Sequence, residues 1–257
     1  DGLAARGFHV VRFDNRDAGL STHLHGARTP GLWATAMRTR LGLPTRTPYS
    51  LADMADDAAA LLDALGVGAA HIVGASMGGM IAQLVAANHP RKTLSLVSIM
   101  SSSGNPWLRP PRRDALKFLL SRPRLNDREA ILSHFVRLVQ TIGSPAFPTP
   151  EADLRARAGR ALDRAYDPPG VGRQLLAIIA SGDRRPLLRR IAAPTLVIHG
   201  AADPLVRPDA GRDTARSIAG ARLMVVDGMG HDLPAELCPR LVEAVASHCG
   251  AAAPATA

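Results

Sequence analysis

The sequence predicts an α/β protein: a mostly parallel sheet flanked by helices, with a helical cap inserted into it. Three observations predict this class. Short apolar runs that read as strands alternate with segments of helical period, the pattern of parallel strands joined by crossover helices. A stretch of about 85 residues, punctuated by proline and helical in pattern, separates the third and fourth strand runs and is too long for a structureless loop. Glycine-rich turns follow several strands directly, at the carboxyl edge where such sheets hold ligands.

The elements follow in order. Phe8-His9-Val10-Val11-Arg12-Phe13 reads as a first buried strand, ending in the turn-rich Asp14-Asn15-Arg16-Asp17-Ala18-Gly19. A long connection broken by Pro30, Pro44 and Pro48 comes next. Ser50 then caps a helix, with Asp53 at the reciprocal position of a capping box. Leu51, Met54, Ala58, Leu61, Leu62 and Leu65 recur at helical spacing until Gly66. Residues 71–75 form the second strand, and Met77 to His89 an apolar helix halted by Pro90. Residues 94–100, 194–200 and 221–226 supply the third, fourth and fifth strands, and an amphipathic helix closes the chain. The core is therefore expected over 1–104 and 192–250 and the cap over 105–191. The low-complexity tail 251–257 is expected to be disordered.

Composition narrows the function classes. With 46% hydrophobic and 21% charged residues the chain is of globular type. No run approaches the roughly 18 apolar residues that span a bilayer, and the first residues lack signal-peptide character. Cys238 and Cys249 fall in the apparent last helix, about 16 Å apart along its axis, too far for a disulfide. Free thiols fit a cytoplasmic protein or a disulfide-free secreted one. The net charge of +9 is local: residues 105–191 hold 17 Lys and Arg against 8 Asp and Glu, while the rest balances at 14 against 14. Its arginines are scattered, with few aromatics between them for base stacking, so the expectation is a solvated surface without a nucleic-acid partner, and the lack of a spanning run gives the expectation of no membrane partner.

Gly74-Ala75-Ser76-Met77-Gly78 fits G-x-S-x-G, directly after a strand and opening a helix. That context describes a strained elbow presenting Ser76 above the sheet, with Gly74 and Gly78 as the small neighbours it requires. The Met77 N–H, at the helix start, points where an oxyanion would form. A serine hydroxyl needs a base, and the base a carboxylate to hold it. Asp203 lies just past the fourth strand and His231 just past the fifth, so Ser76, Asp203 and His231 project from one sheet edge in the order serine, acid, histidine. The remaining histidines lie in strands, a helix end or the long connection; Asp209 and Asp213 belong to a helix, and Asp227 to the wrong loop. Asp232 reads as a helix cap. No metal-ligand spacing, P-loop or dinucleotide fingerprint is present in the sequence.

The chain resembles the α/β-hydrolase superfamily across nearly its whole length, and within it the esterase branch that includes aclacinomycin methylesterase. The resemblance is carried by Phe13-Asp14-Asn15-Arg16-Asp17-Ala18-Gly19-Leu20-Ser21, by Gly74-Ala75-Ser76-Met77-Gly78-Gly79-Met80-Ile81-Ala82-Gln83 and by Gly228-Met229-Gly230-His231-Asp232. Arg173-Gln174-Leu175 and Ala180-Ser181-Gly182-Asp183-Arg184 belong to it as well. It implies hydrolysis of a small-molecule carboxylic ester through an acyl-enzyme, without cofactor or metal. Lactone or carbon–carbon bond hydrolysis with the same triad, or binding without turnover on this scaffold, are the alternative readings.

The sequence departs from that family at its start. The family's sheet opens with strands and a His-Gly loop that supplies a second oxyanion donor, whereas this chain begins within what resembles the following helix. The expectation is an N-terminally incomplete chain that either leaves a gap in its sheet or pairs residues 8–13 with 71–75. Loss of one oxyanion donor commonly costs about 10²–10³ in rate, which implies a weakly active or inactive chain.

Overall fold

The computed structural model describes residues 1–121, 123 and 127–252. Its sheet has four parallel strands in the spatial order β1 (Ala70–Ala75), β2 (Thr93–Ile99), β3 (Thr195–Gly200) and β4 (Arg222–Val226). Helix α2 (Leu51–Ala64) precedes β1, α3 (Met77–Asn88) crosses from β1 to β2, and α9 (Pro208–Ser217) from β3 to β4. The final helix α10 (Cys238–Ala252) runs two residues into the expected tail; residues 253–257 lie outside the described residues.

Alternation along the strands sends side chains to two opposite layers. Val97 and Ile99 of β2, with Leu196 and Ile198 of β3, meet Leu241, Val245 and Cys249 of α10. Leu96 turns the other way, to Ala82 and Ala86 of α3. Ser50 and Asp53 form the capping box that starts α2, the Ser50 N–H donating to Asp53 over 2.7 Å. Cys238 and Cys249 are both free.

Residues 8–13 do not form the expected strand. They pair with nothing in the sheet, and Val10, Val11 and Phe13 are exposed. An apolar run becomes a strand only when a neighbour supplies its ladder of hydrogen bonds. Here β1 pairs with β2 alone, and the Phe8 ring stands edge-on to His71 of β1.

The long connection carries a helix the sequence reading left out, α1 (Leu32–Arg40). Between β2 and β3 lie α4 (Arg113–Leu120), α5 (Arg128–Ile142), α6 (Glu151–Arg164), α7 (Pro168–Ala180) and the short α8 (Arg185–Leu188). Helix α1 packs on α7, and α5 on α4 and α6. Leu188 and Ile191, at the end of the inserted segment, pack in one buried cluster with Ala82 and Ala86 of α3 and Leu96 of β2.

Candidate active site

Ser76 joins β1 to α3 with φ 53° and ψ −120°, a conformation an L-residue adopts only when its surroundings enforce it. Two hydrogen bonds enforce it: the Ser76 N–H donates to the Ile99 carbonyl, and the Ser101 hydroxyl donates to the Ser76 carbonyl, both over 2.9 Å. Close backbone approach does the rest. A Cβ on Gly74 would lie 2.1 Å from the Gly78 carbonyl oxygen, and one on Gly79 2.7 Å from the Ser101 Cβ. At Gly78 a Cβ would meet nothing within 4 Å, so the tight second position is Gly79, one residue beyond the motif.

Asp203 is buried in the turn after β3. Its Oδ1 accepts the N–H groups of Leu205 and Val206 at 2.9 and 2.8 Å, and its Oδ2 lies 2.7 Å from His231 Nδ1. An ionised carboxylate only accepts, which assigns the proton to Nδ1 and leaves Nε2 as an acceptor. Ser76 Oγ lies 2.9 Å from that Nε2. The three residues named from sequence thus form one continuous hydrogen-bonded chain. Met77 is the first residue of α3, and its N–H is among the amides that a helix leaves without an internal acceptor. Asp209 and Asp213 are engaged elsewhere, by the Arg109 N–H and by Ser103 and Asn105.

His199, in β3, lies against the acid, with Nε2 3.7 Å from Asp203 Oδ2 and donating to the Val206 carbonyl over 2.8 Å. Burial pushes its pKa below the ordinary histidine value, so it forms a neutral wall beside Asp203.

The loop carrying His231 is moored to the end of α5. The His231 N–H donates to the Ile142 carbonyl over 2.7 Å, and the Gly230 N–H to Ser144 Oγ over 2.9 Å. Ile142 ends α5, where carbonyls have no helical donor of their own. The Ser144 hydroxyl in turn donates to Asp232. Asp232 therefore does not cap a helix as the sequence suggests; burial raises its pKa, against the opposing effect of the Ser144 hydrogen bonds. A Cβ on Gly230 would fall 2.1 Å from the Gly143 carbonyl oxygen, a measure of how closely the loops meet. Spacing gave no sign of this contact, because Ser144 and Gly230 are 86 residues apart. A cavity of about 270 Å³ lies behind the mooring, lined by Arg112, Ser144, Pro204 and Asp232; Ser76 does not line it.

A second polar cluster ties the segment after residue 13 to the cap. Asp17, at φ 63°, accepts two hydrogen bonds from Arg173 of α7, while the Gln174 amide donates to the Arg16 carbonyl over 2.8 Å. His23 Nδ1 lies 2.7 Å from Asp167 and its Nε2 3.1 Å from the Gly19 carbonyl, so both ring nitrogens face acceptors. The hydrogen bond to Asp167 is the main cause of a raised His23 pKa. Asp17, His23 and Asp167 have donor atoms close enough to hold a metal ion. The Arg173 guanidinium, 2.7 Å from Asp17 and 3.2 Å from Asp167, already supplies the positive charge between those carboxylates.

A serine at a strand-to-helix elbow, with an acid and a histidine from later turns of the same parallel sheet, defines the α/β-hydrolase class. The chain belongs to the alpha/beta hydrolase fold family, whose profile matches residues 1–236. It is 31% identical over 271 aligned positions to rhodomycin D methylesterase DauP of Streptomyces sp. (strain C5), covering 97% of this chain and 84% of that protein. It is 29% identical to the pimeloyl-[acyl-carrier protein] methyl ester esterase of Neisseria meningitidis serogroup B / serotype 15 (strain H44/76), covering 83% and 82% of the two chains. Among solved structures, a hydrolase from Pseudomonas aeruginosa PA01 superimposes with a TM-score of 0.65 at 28% identity, covering 96% of this chain and 82% of that one.

Proposed function

We propose that the protein hydrolyses a carboxylic ester, a methyl or other short ester, through an acyl-enzyme on Ser76. The observation that carries this reading is the path Ser76 Oγ–His231 Nε2 at 2.9 Å and His231 Nδ1–Asp203 Oδ2 at 2.7 Å. In the reading, His231 Nε2 takes the Ser76 proton as Oγ bonds to the ester carbon, and Asp203 holds the resulting imidazolium. The Met77 N–H donates to the oxyanion as it forms. His231 returns the proton to the departing alcohol, and water, activated by the same base, releases the acid and restores Ser76. The preference for methyl esters rests on two relatives named as methyl esterases.

The test is hydrolysis of a short p-nitrophenyl ester and of methyl esters by the parent and Ser76→Ala, with covalent labelling by a fluorophosphonate. The expected result is turnover and labelling at Ser76, both lost in Ser76→Ala. Turnover that survives in Ser76→Ala, or a properly folded parent whose Ser76 is not labelled, would reject the reading.

A further inference from the structure

Helix α1 packs one side on α7 yet holds its largest apolar side chains outward. Thr35, 1% exposed, faces inward, and the Thr39 methyl would lie 3.1 Å from a Cβ on Gly182. Trp33, Met37 and Leu41, four residues apart and so on one face, are 76%, 59% and 64% exposed. A surface helix normally buries such a stripe and turns its polar face to water. Trp107, 78% exposed, extends the patch, with the Arg40 guanidinium 5.4 Å from its ring centroid. These are the two tryptophans of the chain, and both stand in water.

Charge indicates what covers this face. No Asp or Glu occurs between Asp17 and Asp53, while Arg28, Arg38, Arg40 and Arg46 do. A second copy of the chain docking through the same face would set arginine against arginine. An apolar stripe with tryptophan at its head and arginines around it fits a surface that is anionic outside and apolar beneath.

We propose that α1 and Trp107 dock the protein on an anionic lipid surface, lying in the headgroup layer. This reverses the expectation of no membrane partner, which rested on spanning length. Among the described residues no helix is long and apolar enough to cross a membrane, but lying on one requires no such helix. The docking is independent of the ester-hydrolysis reading, because its readout involves no turnover.

The test uses the full chain with vesicles of phosphatidylglycerol mixed into phosphatidylcholine, beside phosphatidylcholine alone. Co-flotation and a blue shift of tryptophan emission are expected on the anionic vesicles, weakened by salt. Trp33→Ser combined with Met37→Ser should weaken partitioning at least about tenfold with an unchanged melting temperature. Arg38→Gln with Arg40→Gln, read by co-flotation, should also weaken it. Absence of binding to anionic vesicles would overturn the proposal, as would equal binding by the Trp33/Met37 variant. Retention on an acidic acyl carrier protein without vesicle binding would overturn it in favour of a protein partner.

Discussion

Arg173 reaches across 156 residues of sequence to clamp Asp17, Nε and Nη2 each donating to one carboxylate oxygen, at 2.8 and 2.7 Å, with both side chains buried. Burial by itself would raise the Asp17 carboxyl; the hydrogen bonds from Arg173 and the Leu24 N–H, with the charge of Arg173, outweigh it and hold the group at about 2. Removing one partner leaves a buried charge uncompensated. Arg173→Met should therefore destabilise the fold by about 3–5 kcal/mol in urea unfolding, and Asp17→Asn in the same chain should recover much of the loss. The sign with pH follows from a depressed folded-state pKa. The contribution is present above the unfolded value of about 4 and is lost as pH falls toward 2. A destabilisation by Arg173→Met that persists undiminished at the acid end would contradict this assignment.

The neighbouring pair has the opposite sign. His23 has a raised pKa through Asp167 and the Gly19 carbonyl, so its contribution is present below the ordinary histidine value of about 6.5 and is lost as pH rises through the folded value. Melting curves of the parent and His23→Gln should differ most on the acid side and converge on the alkaline side. A constant difference across that range would show that the ion pair is not its source.

Ser144 tests whether the mooring of the His231 loop matters for chemistry. Ser144→Ala removes the acceptor of the Gly230 N–H and the donor to Asp232. An unsatisfied buried amide costs about 1–3 kcal/mol, and a base displaced by a fraction of an ångström should lower kcat roughly ten- to a hundredfold with KM little changed. Ser144→Thr, which restores the hydroxyl, should recover part of kcat. An unchanged kcat in Ser144→Ala would make the contact purely structural.

The glycines of the elbow should separate by position. Gly74→Ala would drive a methyl into the Gly78 carbonyl and is expected to prevent stable folding or abolish turnover. Gly78→Ala has open space and lies in the first turn of α3, so its melting temperature should hold or rise with the better helix propensity of alanine. Circular dichroism of the two variants checks both expectations; a severe loss at Gly78 would invert the steric assignment.

What could be read in the sequence was local or followed from chain order. The capping box at Ser50 and Asp53, the apolar period of α2, and the positions of Ser76, Asp203 and His231 after their strands each depend on a few adjacent residues. Residues 8–13 misled because β pattern describes a segment without naming its partner. The resemblance picked out Asp17 and Arg173 in two separate stretches, but composition and spacing carry no mark that one side chain grips the other. Ser144 was silent for the same reason: a lone serine after a helix looks like any turn. The exposed face of α1 escaped because prolines on either side made the connection read as loop, and helical period had only nine residues in which to appear.

The grip of Ile142 and Ser144 on the His231 loop sets a boundary for anyone recombining such proteins. A chimaera that exchanged the whole inserted segment for a relative's would discard the carbonyl and hydroxyl that hold the histidine turn, and would disturb the setting of His231 along with the rest of the segment. Keeping residues 142–146 with the recipient leaves both contacts to the His231 loop in place while the rest of the segment is exchanged.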